Sequence, residues 1–240
     1  MTTYLLLHAF PFDASMWSEV SQRLRADGHE VIAPDLTGFG TAPLGSETPS
    51  IDRMVADVVT LIGDDPVVVA GCSMGGYVAL GIARRDPALV SALVLVDTKA
   101  TADGEAARAN RERVAVLAES GEGWSTGMID GLLGATTRAS NLDLVSHVEQ
   151  VLASAPRTTV AWAQRAMAAR PDSVDVLASL DVPVLVVMGE EDTMSPMPEQ
   201  QIMVDAAADA HLVVIPGSGH LSPLEAPDAV AAALRAQTPR

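Results

Sequence analysis

The side chains in this sequence best suited to covalent chemistry are Ser73, His220 and Asp192, which lie far apart in the chain yet each follow closely on a short apolar run with strand character. Ser73 stands in Gly71-Cys72-Ser73-Met74-Gly75-Gly76. Before it comes a run from Val67 to Ala70, opened by Pro66, and after it an alanine-rich segment from Met74 to Arg85 with helical periodicity. The spacing G-x-S-x-G at a strand-to-helix corner is the signature of a nucleophile elbow. Glycines two residues to either side carry no Cβ, so strand and helix can cross at close range and the serine is thrust above the sheet edge. Its backbone is expected to be strained, and the N–H groups that open the following helix would face negative charge developing beside it. Cys72, the only cysteine, adjoins this serine but reads as a small buried residue at a strand end.

A serine hydroxyl is a weak nucleophile until a base takes its proton, and ligands of a parallel sheet bind outside the carboxyl ends of its strands. That requirement sorts the five histidines. His29 and His211 precede strands, His147 lies in a helical region, and His8 sits on the first loop. His220, after the last strand in IPGSGHLSP, is placed to act as general base. The carboxylate that orients such a base should also end a strand, as Asp35, Asp97 and Asp192 all do. The order serine, acid, histidine that goes with this elbow leaves Asp97 and Asp192. Asp192, in GEEDTMSP on the strand immediately before the one delivering His220, has the better setting. Asp97 is expected to open the helical region instead, and Glu190 and Glu191 to be solvated charges. The expected oxyanion donors are the N–H of Met74 and the N–H of Phe10 in His8-Ala9-Phe10-Pro11, with Ala9 as the alternative to Phe10.

These positions require a particular scaffold. Strands are expected at Tyr4 to Leu7, Val31 to Ala33, Val67 to Ala70, Ala92 to Val96, Val184 to Met188 and Leu212 to Ile215. Helices are expected from Ser15 to Asp27, Ile51 to Ile62, Met74 to Arg85, Pro198 to Ala208 and Pro227 to about Gln237. Such alternation means an α/β fold with a doubly wound, mainly parallel sheet of about six strands. From residue 98 to 170 the alternation stops and helical stretches with Gly-rich breaks take over. The expected organisation is one core, residues 1–97 and 171–240, carrying residues 98–170 as a small helical cap over the strand ends.

With 48% hydrophobic and 19% charged residues, the 240-residue chain can bury one sizeable core. A formal net charge of −16 speaks against nucleic acid or an anionic membrane surface as partner. One cysteine allows no intrachain disulfide and gives no zinc-site spacing. No apolar run reaches transmembrane length and none reads as a signal peptide. A reducing, cytoplasmic setting is expected, with no metal or other cofactor.

With these segments in view, the chain resembles the α/β-hydrolase superfamily over essentially its whole length. His8-Ala9-Phe10-Pro11 stands where that family often has His-Gly-x-Pro, and PDLTGFG resembles its Asp-x-x-Gly-x-Gly loop. GCSMGG is its elbow, while GEEDTMSP and GSGHLSPLEAP resemble its acid and histidine segments. LVLVDTKA, AMAARPDS and GHLSPLEAP look most like bacterial 3-oxoadipate enol-lactonase-like members, with esterases and cofactor-free haloperoxidases close by. The resemblance implies a Ser-His-Asp triad acting on a small carboxylic ester or lactone through an acyl-enzyme. Perhydrolysis or C–C bond hydrolysis on the same triad is the alternative within this chemistry. A small-molecule receptor with vestigial turnover is the alternative outside it.

The sequence also departs from relatives. Ala9 replaces the common glycine, which should tighten the oxyanion loop without removing a donor. The chain starts at the strand carrying that loop, so the antiparallel strands that open many members are expected to be missing. Plant hydroxynitrile lyases share such a start but rely on a lysine after the histidine, where Leu221 stands here. Dehalogenases and epoxide hydrolases use an aspartate where this chain has Ser73. Specificity should come from the cap, where Trp162 and Arg165 share a helical face by spacing and Trp124, Met128 and Arg138 could also face the cleft. For the carboxylate of an enol-lactone, Arg165 is the first expected partner and Arg138 the second.

Overall fold

Runs of β-branched and aliphatic residues form six strands in the computed structural model, which describes residues 1–237. They are β1 (Thr3–Leu7), β2 (Glu30–Ile32), β3 (Val67–Cys72), β4 (Val90–Val96), β5 (Val184–Gly189) and β6 (Ala210–Ile215). All pairings are parallel, in the order β2-β1-β3-β4-β5-β6. β3 and β5 are buried along their whole length, as a parallel sheet covered on both faces demands. Each fully buried aliphatic side chain, such as Leu5 or Leu6 of β1, contributes about 1.5–3 kcal/mol.

The helices, in chain order, are α1 (Ser18–Ala26), α2 (Ile51–Val59), α3 (Met74–Arg85), α4 (Glu105–Ser120), α5 (Ile129–Leu132), α6 (Ala135–Ser140), α7 (Leu142–Ser154), α8 (Arg157–Ala169), α9 (Val174–Ser179), α10 (Met197–Ala206), α11 (Ser222–Glu225) and α12 (Pro227–Ala236). α1 packs on α12, while α2, α3, α9 and α10 form a contiguous row. Right-handed crossovers explain the two layers: only the step from β1 to β2 runs in the opposite direction, so α1 lies on the other face from α2 and α3. The strand order therefore reverses between β1 and β3, and the crevice at their carboxyl ends is the natural binding point of such a sheet. Phe10 follows β1 and Ser73 follows β3.

Between β4 and β5 the chain makes a helical insert, α4 to α8, in which α4 packs along α8. Among the described residues it contains no strand. The first expected helix is in two pieces. The Asp13 carboxylate accepts the Ser15 N–H at 2.9 Å and caps a 3₁₀ turn, Ala14–Trp17, that buries Met16 and Trp17 before α1 begins. Among the described residues no helix is long and apolar enough to cross a membrane.

Candidate active site

Ser73 sits between β3 and α3 with φ 50° and ψ −112°, a conformation that a non-glycine residue holds only when its surroundings impose it. The surroundings do impose it. A Cβ on Gly71 would lie 2.1 Å from the Gly75 carbonyl oxygen, and one on Gly75 would lie 2.1 Å from the Leu7 carbonyl oxygen, so neither position accepts a side chain. The Ser73 N–H donates to the Val96 carbonyl at 2.9 Å, and its own carbonyl accepts from the Thr98 hydroxyl at 2.8 Å and the Gly76 N–H at 2.9 Å.

His220 reaches this corner from the loop after β6. Its Nε2 is 2.8 Å from Ser73 Oγ and its Nδ1 is 2.9 Å from Asp192 Oδ2, so the three side chains make one hydrogen-bonded row. Asp192 is fixed in turn: its Oδ1 accepts the N–H groups of Met194 at 2.8 Å and Ser195 at 3.1 Å, and the Ser195 hydroxyl donates to its Oδ2. Burial alone would raise the Asp192 carboxyl and lower His220. Their mutual attraction outweighs it, leaving Asp192 below the ordinary carboxylate value and His220 above the ordinary histidine value.

Asp97 does not open the insert, as expected from the sequence, but serves as a buried crosspiece. Its two carboxylate oxygens accept the N–H groups of Gly189 at 2.8 Å and Ser222 at 2.9 Å, tying the end of β5 to the loop that carries His220. Complete burial, reinforced by the charge of Asp192, pushes its carboxyl up to about 7. Cys72 is buried with its Sγ against the His220 carbonyl at 3.9 Å, and burial raises its thiol well above the usual range, which disfavours the thiolate.

The loop after β1 is clamped by His8. Its Nε2 accepts the Leu36 N–H at 2.8 Å, so the ring proton is on Nδ1, 2.9 Å from the Ala9 carbonyl, and burial lowers its pKa to about 4. The Ala9 N–H is occupied by Met16 Sδ at 3.0 Å. The Phe10 N–H has no acceptor among the described residues, and the Met74 N–H, at the first position of α3, has none within its helix. These two donors remain available at the crevice.

Ser73 and His220 open into a cavity of about 290 Å³ between the strand ends and the insert. Met128 lines it, together with Phe10, Tyr77 and Met194. The other residues expected to face the cleft lie elsewhere. Arg165 is spent on the Glu112 and Glu119 carboxylates of α4, at 2.9 and 3.0 Å, on the outside of the insert. Arg138 pairs with Asp130, and Trp162 donates its indole N–H to the Glu47 carbonyl at 3.0 Å. Trp124 is buried edge-on behind Phe10, centroids 5.9 Å apart. Neither arginine can therefore receive a substrate carboxylate in this cavity. Its lining cations are Lys99 and Arg111 instead.

Glu190 and Glu191 are not simply solvated. Glu191 accepts the Thr136 N–H at 2.9 Å and hydroxyl at 2.6 Å, holding the start of α6, and Glu190 accepts the Gly217 N–H at 3.1 Å. Glu225 has a similar part that the sequence did not reveal: it accepts the N–H groups of Gly219 and Leu221, which flank His220, and that of Gly134 in the insert. Among the described residues no group of three or more His, Cys, Asp or Glu side chains could hold a metal ion.

A doubly wound parallel sheet with a serine on a glycine-flanked strand-to-helix corner defines an α/β hydrolase. The model of the alpha/beta hydrolase family matches residues 4–233, and the chain belongs to that family. A thermophilic esterase from Thermogutta terrifontis, in a malate-bound structure, is 36% identical with a TM-score of 0.90, covering 98% of this chain and 89% of that one. The pimeloyl-[acyl-carrier protein] methyl ester esterase of Neisseria meningitidis is 28% identical over 96% of this chain and 74% of its own. The enol-lactonase of Burkholderia xenovorans, at 21% identity, shares the fold with a TM-score of 0.88, covering 98% of this chain and 90% of that one.

Proposed function

We propose that this protein is a serine hydrolase that cleaves a small carboxylic ester or lactone through an acyl-enzyme. The observation that carries this reading is the row Ser73 Oγ, His220, Asp192, whose serine end opens into a cavity. In it, His220 Nε2 takes the hydroxyl proton as Ser73 Oγ attacks the carbonyl carbon, and the N–H groups of Phe10 and Met74 receive the oxyanion. Asp192 holds the Nδ1–H tautomer and stabilises the imidazolium. The proton then passes to the departing alkoxide. A water molecule, deprotonated by His220, releases the acyl group and restores Ser73. Residues 98–170 act as the cap that shapes the cavity, and residues 1–97 and 171–240 as the catalytic core. The esterases among the similar proteins support this chemistry, and the single buried thiol suits a reducing, cytoplasmic setting.

The test is a panel of short-chain nitrophenyl esters and simple lactones. Turnover by the wild type and a loss on the order of 10⁶ in kcat for Ser73→Ala are expected. A wild type inert toward the whole panel would sink the proposal.

A further inference from the structure

One wall of the Ser73 cavity carries more positive charge than the protein needs there. Asp103, at the start of the insert, is buried, and three cations converge on its carboxylate: Arg170 at 2.8 Å, Lys99 at 3.3 Å, and Arg111 through its Nε. Arg170 is buried, with both terminal nitrogens engaged. It donates to the carbonyls of Met167 at 2.8 Å and Thr101 at 2.9 Å and lies over the Tyr77 ring at 3.9 Å. That buried pair alone balances Asp103.

Lys99 and Arg111 are then in surplus, and both line the cavity beside Ser73 and His220. Lys99 Nζ has Asp103 as its only partner among the described residues. Arg111 uses Nε on Asp103 and Nη1 on Gln164 Oε1 and Met167 Sδ, both at 3.3 Å, while its Nη2 donates to no described group. Each side chain is only 19% exposed, so these charges are held partly out of water with donors that no described protein group accepts. The molecule as a whole runs the other way, with 31 acidic against 15 basic residues, and Lys99 is its sole lysine. Gathering cations at one wall of a partly closed cavity costs desolvation and mutual repulsion, which an anionic ligand offsets.

We infer that Lys99 and Arg111 form an anion subsite that selects esters or lactones bearing a free carboxylate away from the bond that is cleaved. This deepens the hydrolase reading and rests on it. A carboxylate fits because the Lys99 ammonium and the unpartnered Nη2 of Arg111 offer donors for its two oxygens, while the neighbouring Asp103 limits how much negative charge the wall accepts. The cavity, at about 290 Å³, suits a small acid rather than a long chain. The cation expected at Arg165 on α8 or Arg138 on α6 is thus supplied by the loop after β4 and by α4.

The experiment measures kcat/KM for the monomethyl esters of succinic, glutaric and adipic acids, each against the neutral methyl ester of equal chain length. It is run on the wild type, Lys99→Met, Arg111→Gln and Lys99→Arg. The wild type should prefer at least one hemiester by about tenfold or more, and that ratio should fall about tenfold, through KM, in Lys99→Met and Arg111→Gln and return in Lys99→Arg. Reading a ratio cancels general damage to the fold. Neutral esters turned over with no hemiester preference, or a preference that both variants keep, overturns the subsite and leaves the hydrolase standing. If no form turns over any ester, the hydrolase reading fails and calorimetric binding of glutarate decides the subsite. Binding weakened in Lys99→Met supports it, and equal or absent binding overturns it.

Discussion

The two walls of the Ser73 cavity are held together by different forces. On one wall, Ser73 and His220, with Asp192 buried behind them, stand on strand-end loops fixed by hydrogen bonds from backbone N–H groups: the Ser73 N–H to Val96, the Met194 and Ser195 N–H groups to Asp192, and the Gly219 and Leu221 N–H groups to Glu225. On the other, Lys99, Arg111 and Asp103 are side chains joined by ion pairs. The first arrangement cannot shift without breaking sheet and turn geometry, which suits atoms that must meet within hydrogen-bond distance. Lys99 and Arg111 of the second can be exchanged one at a time without disturbing the sheet. If the proposed roles hold, reaction and recognition are therefore separable, and substitutions should divide accordingly.

The sharpest division is between two buried aspartates. Asp192→Asn should cost on the order of 10⁴ in kcat, because the amide can no longer hold the Nδ1–H tautomer. Asp97→Asn removes no contact to His220 and should act on stability instead. One of its two N–H partners loses an acceptor, for about 1–3 kcal/mol in denaturant unfolding, with a kcat loss far below that of Asp192→Asn. Equal kcat losses would erase the distinction.

A second prediction follows from charge. In the proposed mechanism His220 must be neutral to accept the serine proton, so kcat/KM should rise with pH through its pKa, at a midpoint above the ordinary 6.5. Removing the Asp192 charge should move that midpoint down. The stability signs are opposite for the two partners. The raised His220 contributes stability present below about 6.5 and lost as pH rises through its folded value, whereas the lowered Asp192 contributes stability present above about 3.8 and lost as pH falls through its own. A midpoint below 6.5 in the wild type would contradict the pairing.

Smaller effects are expected further out. Glu225→Ala frees three N–H groups around His220 and Gly134, and should lower stability by about 1–3 kcal/mol with only a moderate fall in kcat. Arg165→Ala breaks exposed, screened ion pairs and should leave ester turnover unchanged and the melting temperature nearly so. An increased KM for acidic esters in Arg165→Ala would move the recognition wall to α8.

The same division explains what the sequence made legible. Strand ends are one-dimensional markers: each apolar run stops at a definite residue, and a parallel sheet brings all those stops to one edge, which is why Ser73, His220 and Asp192 could be singled out together. Helical spacing puts Trp162 and Arg165 on adjacent turns but does not say which face looks inward. Packing of α8 on α4 decides it, turning Arg165 toward Glu112 and Glu119. Lys99 did carry a signal, as the only lysine, two residues beyond Asp97 at the end of β4, where the strand-end rule already applied. Arg111 carried none, because its position depends on a buried partner, Asp103, eight residues away on a loop. The tethers Glu191 and Glu225 join segments distant in sequence, and nothing local marks them.

The central claim is that Ser73, and no neighbour, is the activated nucleophile. Intact-protein and peptide mass spectrometry after treatment with a fluorophosphonate probe tests it most directly. One adduct per chain is expected, located on Ser73, absent in Ser73→Ala and formed much more slowly in Asp192→Asn. An adduct on another residue, or ester turnover that persists at wild-type rate in Ser73→Ala, would contradict it.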